Sequence, residues 1–373
     1  MKKIRKIASI SLVAAALLVS CGKQTALVAL ITDLGDIDDK SFNQGSWEGV
    51  LDYNKEHAVG HQYYKPAEGT NAAYIEAIDL AVSNGAEIVI TPGFLFEQPV
   101  ADAQKQYPDV HFVLLDAQPF DTTRGDEGEY YVASNTVAVM YAEEQSGYLA
   151  GYGVVMDGHT KLGFMGGMSV PAVRRFGLGF LVGAHDAAVA KGLDDKAVTV
   201  KYHYTGGFTA TPEAKAKAET WYAEGVSVIF ACGGSVGQSV MAAAEAKNGL
   251  VVGVDVDQAG DSETVITSAM KGLSASVQLA LGNHFDDKWE GGVTWNLDAS
   301  QGGVGLPTAK TSWRFNTWKV SEYETILGKL AEKTVTVLDK LPADYLSADQ
   351  QKAISDLGGA TGTLAKISAA YEG

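Results

Sequence analysis

Between residues 31 and 49 the chain reads ITDLGDIDDKSFNQGSWEG, which packs four aspartates, a Phe-Asn pair and three glycines into one short stretch. Carboxylates at that density either hold a cation or present hydrogen-bond acceptors to a ligand. Phe42, flanked by Ser41 and Asn43, can offer its ring face to a planar group, while Asn43 donates and accepts along that group's edge. A lone loop Phe also serves as a staple for the helix that follows. A second aromatic in an equivalent place favours the binding reading. Phe208 in YHYTGGFTATPEAKAKA follows two glycines and precedes the helix start signal Thr211-Pro212. Two such rings facing each other can clamp a flat base, each stack contributing ~0.5–1.5 kcal/mol beyond its area. Asp255 in GVDVDQ and Lys271 in TSAMKG add opposite charges. A buried carboxylate can accept both hydroxyls of a cis-diol, and a lysine can donate to hydroxyl or ring oxygens. The same two residues can also form an ion pair that closes a hinge.

The cation reading has a sharp form, because TDLGDIDD is similar to the D-x-D-x-G-x-D-D calcium loop of nucleoside hydrolases. The position two before Asp33 is Ile31, and the later aspartates are shifted by one, so the charge that would hold a hard cation is reduced. Elsewhere the chemistry is sparse. FACGGSVGQS is glycine-rich after an apolar run but lacks the G-K-[ST] ending of a phosphate loop, which leaves its amides, Gly234 among them, as polar contacts to a neutral ligand. GLGFLVG lies inside a helical pattern and suits close packing. The seven histidines show no zinc spacing, and no G-x-S-x-G elbow occurs. Nothing here demands catalysis, a metal or a cofactor.

The elements that must position these residues alternate along the chain. ALVALITD precedes NQGSWEGVLDYNKEH, EIVITPGF precedes EQPVADAQKQY, and VHFVLLDAQ follows. Apolar Val- and Ile-rich runs between amphipathic helices predict an α/β fold with parallel sheets covered on both faces. The second half repeats the order with KLGFMGG, VSVIFACGG and LVVGVDVDQ, setting Gly93 against Gly233 and Asp116 against Asp255. Two related lobes follow. Because ligands in open α/β sheets bind beyond the carboxyl ends of the strands, the rule selects Asp33, Gly93-Phe94, Asp116, Gly166-Gly167, Gly233-Gly234-Ser235 and Asp255. After Asp255 come the segment VITSAMK and a helix-like LSASVQLALGNHFDDKW, and the stretch from ETILGKLAEKTVTVLDKL to ISDLGGATGTLAKI reads as helical.

The chain's 373 residues and 46% apolar content fit two globular domains. MKKIRK followed by IASISLVAAALLV and LVSC reads as an export signal over residues 1–20 that ends at Cys21. Leu18-Val19-Ser20-Cys21 resembles the lipobox of bacterial lipoproteins, so Cys21 is expected to carry the lipid and residues 21–26 to form a tether. Cys232, in an apolar run, reads as a small buried residue. Loss of Lys2, Lys3, Arg5 and Lys6 takes the formal charge from −16 to −20, which disfavours nucleic acid and anionic lipid as partners.

Taken together, the lipobox, TDLGDIDDKSFNQGSWEG, GGF before T-P-E-A-K-A-K-A, GVDVDQ and TSAMKG resemble the basic membrane protein family of substrate-binding lipoproteins, whose PnrA-type members are purine nucleoside receptors. The resemblance spans most of residues 27–340. It implies a two-lobed type I periplasmic-binding-protein fold with a hinge of crossing strands, residues 27–137 and 258–306 in one lobe and 138–257 and 307–373 in the other. It implies stacking by Phe42 and Phe208, a ribose-binding pair in Asp255 and Lys271, and further polar contacts from Asp33, Asn43, Asp116 and Gly234. It also implies a monomer anchored to the extracytoplasmic face of a membrane, an ABC permease with its ATPase as partners, and no enzyme activity. The aspartate that often precedes the proline after the second aromatic is Thr211 here, and Gly207 replaces a serine, so the base preference can differ. A calcium-dependent nucleoside hydrolase and a sugar or autoinducer receptor remain the alternatives.

Overall fold

The computed structural model describes residues 27–338 and 364–372. The export signal, the tether and Cys21 lie outside the described residues. The first half runs β1 (Val28–Ile31), α1 (Phe42–His57), β2 (His61–Tyr64), α2 (Asn71–Ser83), β3 (Ile88–Pro92), α3 (Glu97–Gln106) and β4 (His111–Leu115). A small hairpin of β5 (Phe120–Asp121) and β6 (Glu129–Tyr130) follows, then β7 (Thr136–Tyr141) and α4 (Glu143–Met156). The second half repeats the alternation with β8 (Lys161–Gly166), α5 (Pro171–Ala190), β9 (Val198–Tyr204), α6 (Pro212–Ala223), β10 (Val228–Cys232), α7 (Val236–Lys247) and β11 (Leu250–Asp255). It closes with β12 (Val265–Lys271), α8 (Leu273–Phe285), β13 (Val293–Leu297), β14 (Val304–Gly305), α9 (Val320–Ala331) and β15 (Ile367–Tyr371).

Two sheets result, ordered β2-β1-β3-β4-β7-β13 and β15-β9-β8-β10-β11-β12-β14. Every pairing in the first sheet is parallel, and in the second only β14 runs antiparallel, against β12. The strands with helices on both faces are buried along their length, as β1, β3 and β10 are. Both sheets place their second strand outside the first and their third inside it. That shared order bears out the repeat read from Gly93/Gly233 and Asp116/Asp255.

Among the described residues the chain crosses between the sheets three times: at Ala142 between β7 and α4, at Gly272 between β12 and α8, and at Gly302-Gly303 before β14. The backbone N–H of Gly272 donates to the Gly303 carbonyl, so two crossovers are bonded to each other. The sheet pairing corrects the expected assignment of 258–306 to the first lobe. β12 hydrogen-bonds to β11 over Val251–Asp255 and so belongs to the second sheet; only from α8, which packs on α1, does the chain rejoin the first. At the C-terminal end, α9 is helical as read; residues 339–363 of the stretch read as helical lie outside the described residues, and Ile367–Tyr371, which begins where that stretch ends, is a strand paired with β9. Its side chains alternate between buried and exposed, the period of a strand.

α4 and α5 are the most closely packed helix pair, and glycines are the reason. A Cβ on Gly147 or Gly151 would sit 2.1 Å from the carbonyl oxygens of Phe176 and Phe180, and one on Gly179 or Gly183 would sit 2.0 Å from those of Glu144 and Tyr148. The GLGFLVG run therefore serves close approach of backbones. Replacing Gly179 with Ala would force the helices apart, at a cost of about 1–3 kcal/mol. We expect Gly179→Ala to lower the melting temperature by roughly 3–9 °C in a calorimetric scan, and an unchanged melting point would mean the helices separate freely.

Candidate ligand-binding site

One cavity lies between the lobes, at the carboxyl ends of both sheets, and encloses about 650 Å³ counting its open mouth. All eight residues proposed from the sequence line it: Asp33, Phe42, Asn43, Asp116, Phe208, Gly234, Asp255 and Lys271. Asp33 lies just past β1, Asp116 directly follows β4, Asp255 ends β11 and Lys271 ends β12. Phe42 starts α1 from the first lobe. Phe208 sits between β9 and α6 of the second, above Gly167, where a Cβ would come within 2.5 Å of its ring. The apolar remainder includes Phe94, Phe176 and the turn Val170-Pro171 that opens α5.

The acidic loop is organised around Asp39. Its carboxylate accepts the backbone N–H groups of Ser41, Asn43 and Gln44 and the Asn43 side-chain amide, satisfying donors that the first turn of α1 would leave bare. The Asn43 amide nitrogen also donates to Asp33 Oδ1 at 2.8 Å, and Asn43 Oδ1 accepts from the Asp33 backbone. Asn43 is thus spent inside the loop. It positions Asp33 rather than reading a ligand edge with a free amide. Asp33 Oδ1 also takes the Gly35 N–H at 2.8 Å, and among the described residues no hydrogen bond reaches its Oδ2. Burial pushes the Asp33 carboxyl above its usual range, against the hydrogen bonds from Asn43 and Gly35. The same cause pushes Asp39 up to about 6, against the three backbone donors.

Asp36 and Asp38 are exposed, and Asp36 pairs with Lys65. The four aspartates of the loop therefore do not converge. Among the described residues no group of three or more His, Cys, Asp or Glu side chains is placed to hold a metal.

Lys271 is the electrostatic centre. Its Nζ donates to Asp116 Oδ2 at 2.5 Å across the cleft and lies 3.2 Å from Asp255 Oδ1 in its own lobe. It also lies 4.2 Å from the centre of the Phe42 ring, a cation–π contact that occupies one face of that ring. Burial disfavours its charge, but Asp116, Asp255 and Glu143 outweigh burial and hold the ammonium above its ordinary range. Asp116 is pushed up to about 7, by burial first and by Glu143 and Asp255 after it, with Lys271 opposing. Its Oδ1 is buried and bare of any donor. Asp255 Oδ2 accepts from Ser41 Oγ at 2.5 Å, and Gln258 donates to the Lys40 carbonyl at 2.7 Å, so the acidic loop is bonded to the opposite lobe twice.

Sequence reasoning passed over Asp39, Phe176 and the Val170-Pro171 turn. Asp39 carried a signal, since an Asp just ahead of a helix start can accept from the bare N–H groups of its first turn, here from two residues before the N-cap Ser41. Phe176 carried none, because a Phe in a helical pattern reads as core. Cys232 lines the cavity floor yet is buried, and burial pushes its thiol well up, which fits the inert residue expected. Thr211 does not line the cavity; it caps α6 by accepting the Ala214 N–H at 3.1 Å.

A family model described as Bmp, ABC transporter substrate-binding protein PnrA-like, matches residues 26–339. The ABC transporter nucleoside-binding protein BmpA of Lactococcus lactis is 28% identical over 341 residues, covering 82% of this chain and 91% of that one. Basic membrane protein B of Borreliella burgdorferi is 26% identical over 290 residues, covering 76% and 81%. Among solved structures, an ABC transporter solute-binding protein from Aeropyrum pernix superposes with a TM-score of 0.72 at 21% identity, over 87% of this chain and 96% of that one. The two-lobed α/β architecture is thus that of type I solute-binding proteins. With the match running from before β1 to past α9, this chain belongs to the Bmp family of PnrA-like ABC transporter substrate-binding proteins.

Proposed function

We propose that the chain captures purine nucleosides in its interlobe cavity for import. A substrate-binding protein of this kind is not an enzyme; it works on the extracytoplasmic side and hands its ligand to a permease driven by an ATPase. The observation that carries the nucleoside reading is the lining itself. Phe42 from one lobe and Phe208 from the other line the same cavity as Asp116, Asp255 and Lys271, whose charges meet there. A purine stacks on the rings, with the free face of Phe42 opposite Lys271. The ribose turns to the charged end, where Asp116 Oδ1 and the remaining lone pairs of Asp255 accept the diol and Lys271 donates to a hydroxyl oxygen. Asp33 Oδ2 accepts from the base edge, and the Gly234 backbone adds a polar contact. The nucleoside-binding relative from Lactococcus lactis supports the same ligand class. Closure then brings contacts from both lobes onto one ligand, and the shut form is the one the permease reads.

The test of ligand class is direct. Purified protein is incubated with nucleosides, free bases and pentoses, the unbound fraction is removed, and both fractions are analysed by mass spectrometry. Retention of intact purine nucleoside supports the reading, and retention of a pentose alone ends it. Phe42→Ala and Phe208→Ala should each weaken nucleoside binding roughly tenfold, about 1.4 kcal/mol, with the fold intact. Unchanged affinity in both would remove the stacking clamp. A 2′-deoxynucleoside should bind more weakly than its ribonucleoside because a buried carboxylate then lacks its donor. Calorimetry giving equal affinities would take the diol off these aspartates.

We also propose that Cys21 carries a lipid that tethers the protein to the outer face of a membrane. Cells fed a labelled fatty acid should label the wild-type protein, and Cys21→Ala should lose both the label and membrane retention. An equally labelled Cys21→Ala protein would overturn the anchor.

A further inference from the structure

The stretch GVDVDQ contributes Asp255 to the cavity, but its last residue, Gln258, does not line it. Gln258 is nonetheless fully buried, and both polar atoms of its side chain are bonded. Oε1 accepts the Val254 N–H at 3.0 Å within the second lobe, while Nε2 donates to the Lys40 carbonyl of the first lobe at 2.7 Å. Gly253 makes room for this side chain, since a Cβ there would lie 2.5 Å from Gln258 Oε1. The loop that carries Gln258 is braced as well. Arg314 donates to the carbonyls of Ala259, Ser262 and Val265, and the Gln258 N–H donates to Ser268 Oγ. The donor is therefore held in place before it meets the other lobe.

The acceptor is held with equal care. Lys40 has a φ of 61°, and it is the one residue between 33 and 42 in the left-handed region, which ordinary side chains avoid. That turn presents the Lys40 carbonyl to Gln258 and sets Ser41 Oγ 2.5 Å from Asp255 Oδ2, so two consecutive residues of the first lobe are bonded to the second. The Lys40 ammonium adds little, lying 4.0 Å from a partly exposed Asp261. Asp39, Phe42 and Asn43, on either side of the turn, line the cavity, whereas Lys40 and Gln258 do not.

We propose that Gln258 is a positioning residue for ligand capture: it fastens the Lys40 turn to the opposite lobe and raises affinity by favouring the shut arrangement, without touching the ligand. A contact made only when the lobes are together shifts the open–shut equilibrium by its own free energy. While the open form prevails without ligand, affinity follows that shift. The proposal rests on the interlobe cavity as the ligand site, and on the nucleoside reading for its calorimetry only.

The bond can be broken from either side. Gln258→Glu keeps the acceptor for Val254 but sets an oxygen against the Lys40 carbonyl, and Lys40→Val carries a β-branched side chain that does not hold a left-handed turn. Spin labels at Leu80→Cys on α2 and Val189→Cys on α5, both exposed, report the interlobe separation, and Cys232 is buried away from the label. In ligand-free protein both variants should move the distance distribution away from that of the wild type and further from that of the guanosine-saturated wild type. Calorimetry with guanosine should show roughly 3–10-fold weaker binding in each. The double variant should bind no more weakly than the weaker single one, because both act through one bond. Lys40→Gly, which admits the turn but lacks the ammonium, should keep the wild-type distances and affinity. Unchanged distances in both single variants, losses that multiply in the double variant, or a Lys40→Gly protein that behaves like Lys40→Val would each overturn the proposal. Failure of the wild type to bind any nucleoside would sink the ligand reading, while the ligand-free distances would still decide this one.

Discussion

The fold is arranged so that one ammonium group, Lys271 Nζ, can be neutralised where almost no water reaches. Removing such an ion from water costs several kcal/mol, and only close opposite charges with good geometry offset that cost. Asp255 alone, 3.2 Å away in the same lobe, would leave the other side of the ammonium bare. Asp116 completes the shell at 2.5 Å and the Phe42 ring caps it, and both come from the first lobe. The solvation of Lys271 is therefore finished only when the lobes meet.

Placing two carboxylates around that ion from opposite lobes is easiest in a duplicated fold. Asp116 and Asp255 occupy matching strand ends, after β4 and at the close of β11. Both adopt left-handed backbone conformations, with φ of 62° and 67°. That conformation costs an ordinary residue roughly 1–2 kcal/mol, and Asp is among the few that enter it readily by bonding locally. Here the side chains are turned to Lys271 instead of to their own backbone. The same backbone turn made twice thus aims two acids at one point, and the later divergence of the halves lies in what surrounds them. Ser41 serves one acid, while one oxygen of the other is buried without a donor.

This division explains what the sequence disclosed. Strand ends can be read from where Val- and Ile-rich runs stop, and the rule that ligands sit beyond them picks out Asp33, Asp116 and Asp255 before any contact is known. Phe208 was legible from the two glycines before it and the helix start after it, and Lys271 as a charge opposite that of Asp255. What strand ends do not encode is which partner a side chain takes. Asn43 stands where a ligand contact belongs, yet two neighbouring aspartates consume its amide. Asp39 looked like one acid among four and is the one that organises the loop. Lobe membership was misread at β12 because a run such as VITSAMK carries no mark of the sheet that will accept it. Its partners are β11 on one side and the short antiparallel β14 on the other. Ile367–Tyr371 went unread because so short a run carries no strand signal of its own, whereas an open edge at β9 rewards any alternating segment.

The interlobe bonds also bear on how such a protein closes. Lys271 with Asp116, Ser41 with Asp255 and Gln258 with the Lys40 carbonyl all join one lobe to the other without any ligand atom. Each such bond contributes about 0.5–1.5 kcal/mol, and charged ones about 1.5–3 kcal/mol. A ligand shifts the equilibrium only by the difference in its affinity for the two forms, so contacts built into the protein reduce the share a nucleoside must supply. They also set a limit. If the protein's own bonds made the shut form dominant, a ligand would find the cavity closed and its apparent affinity would fall by the fraction that remains open. The protein's own contacts must therefore stop short of that point, leaving part of the closing free energy to contacts with the ligand.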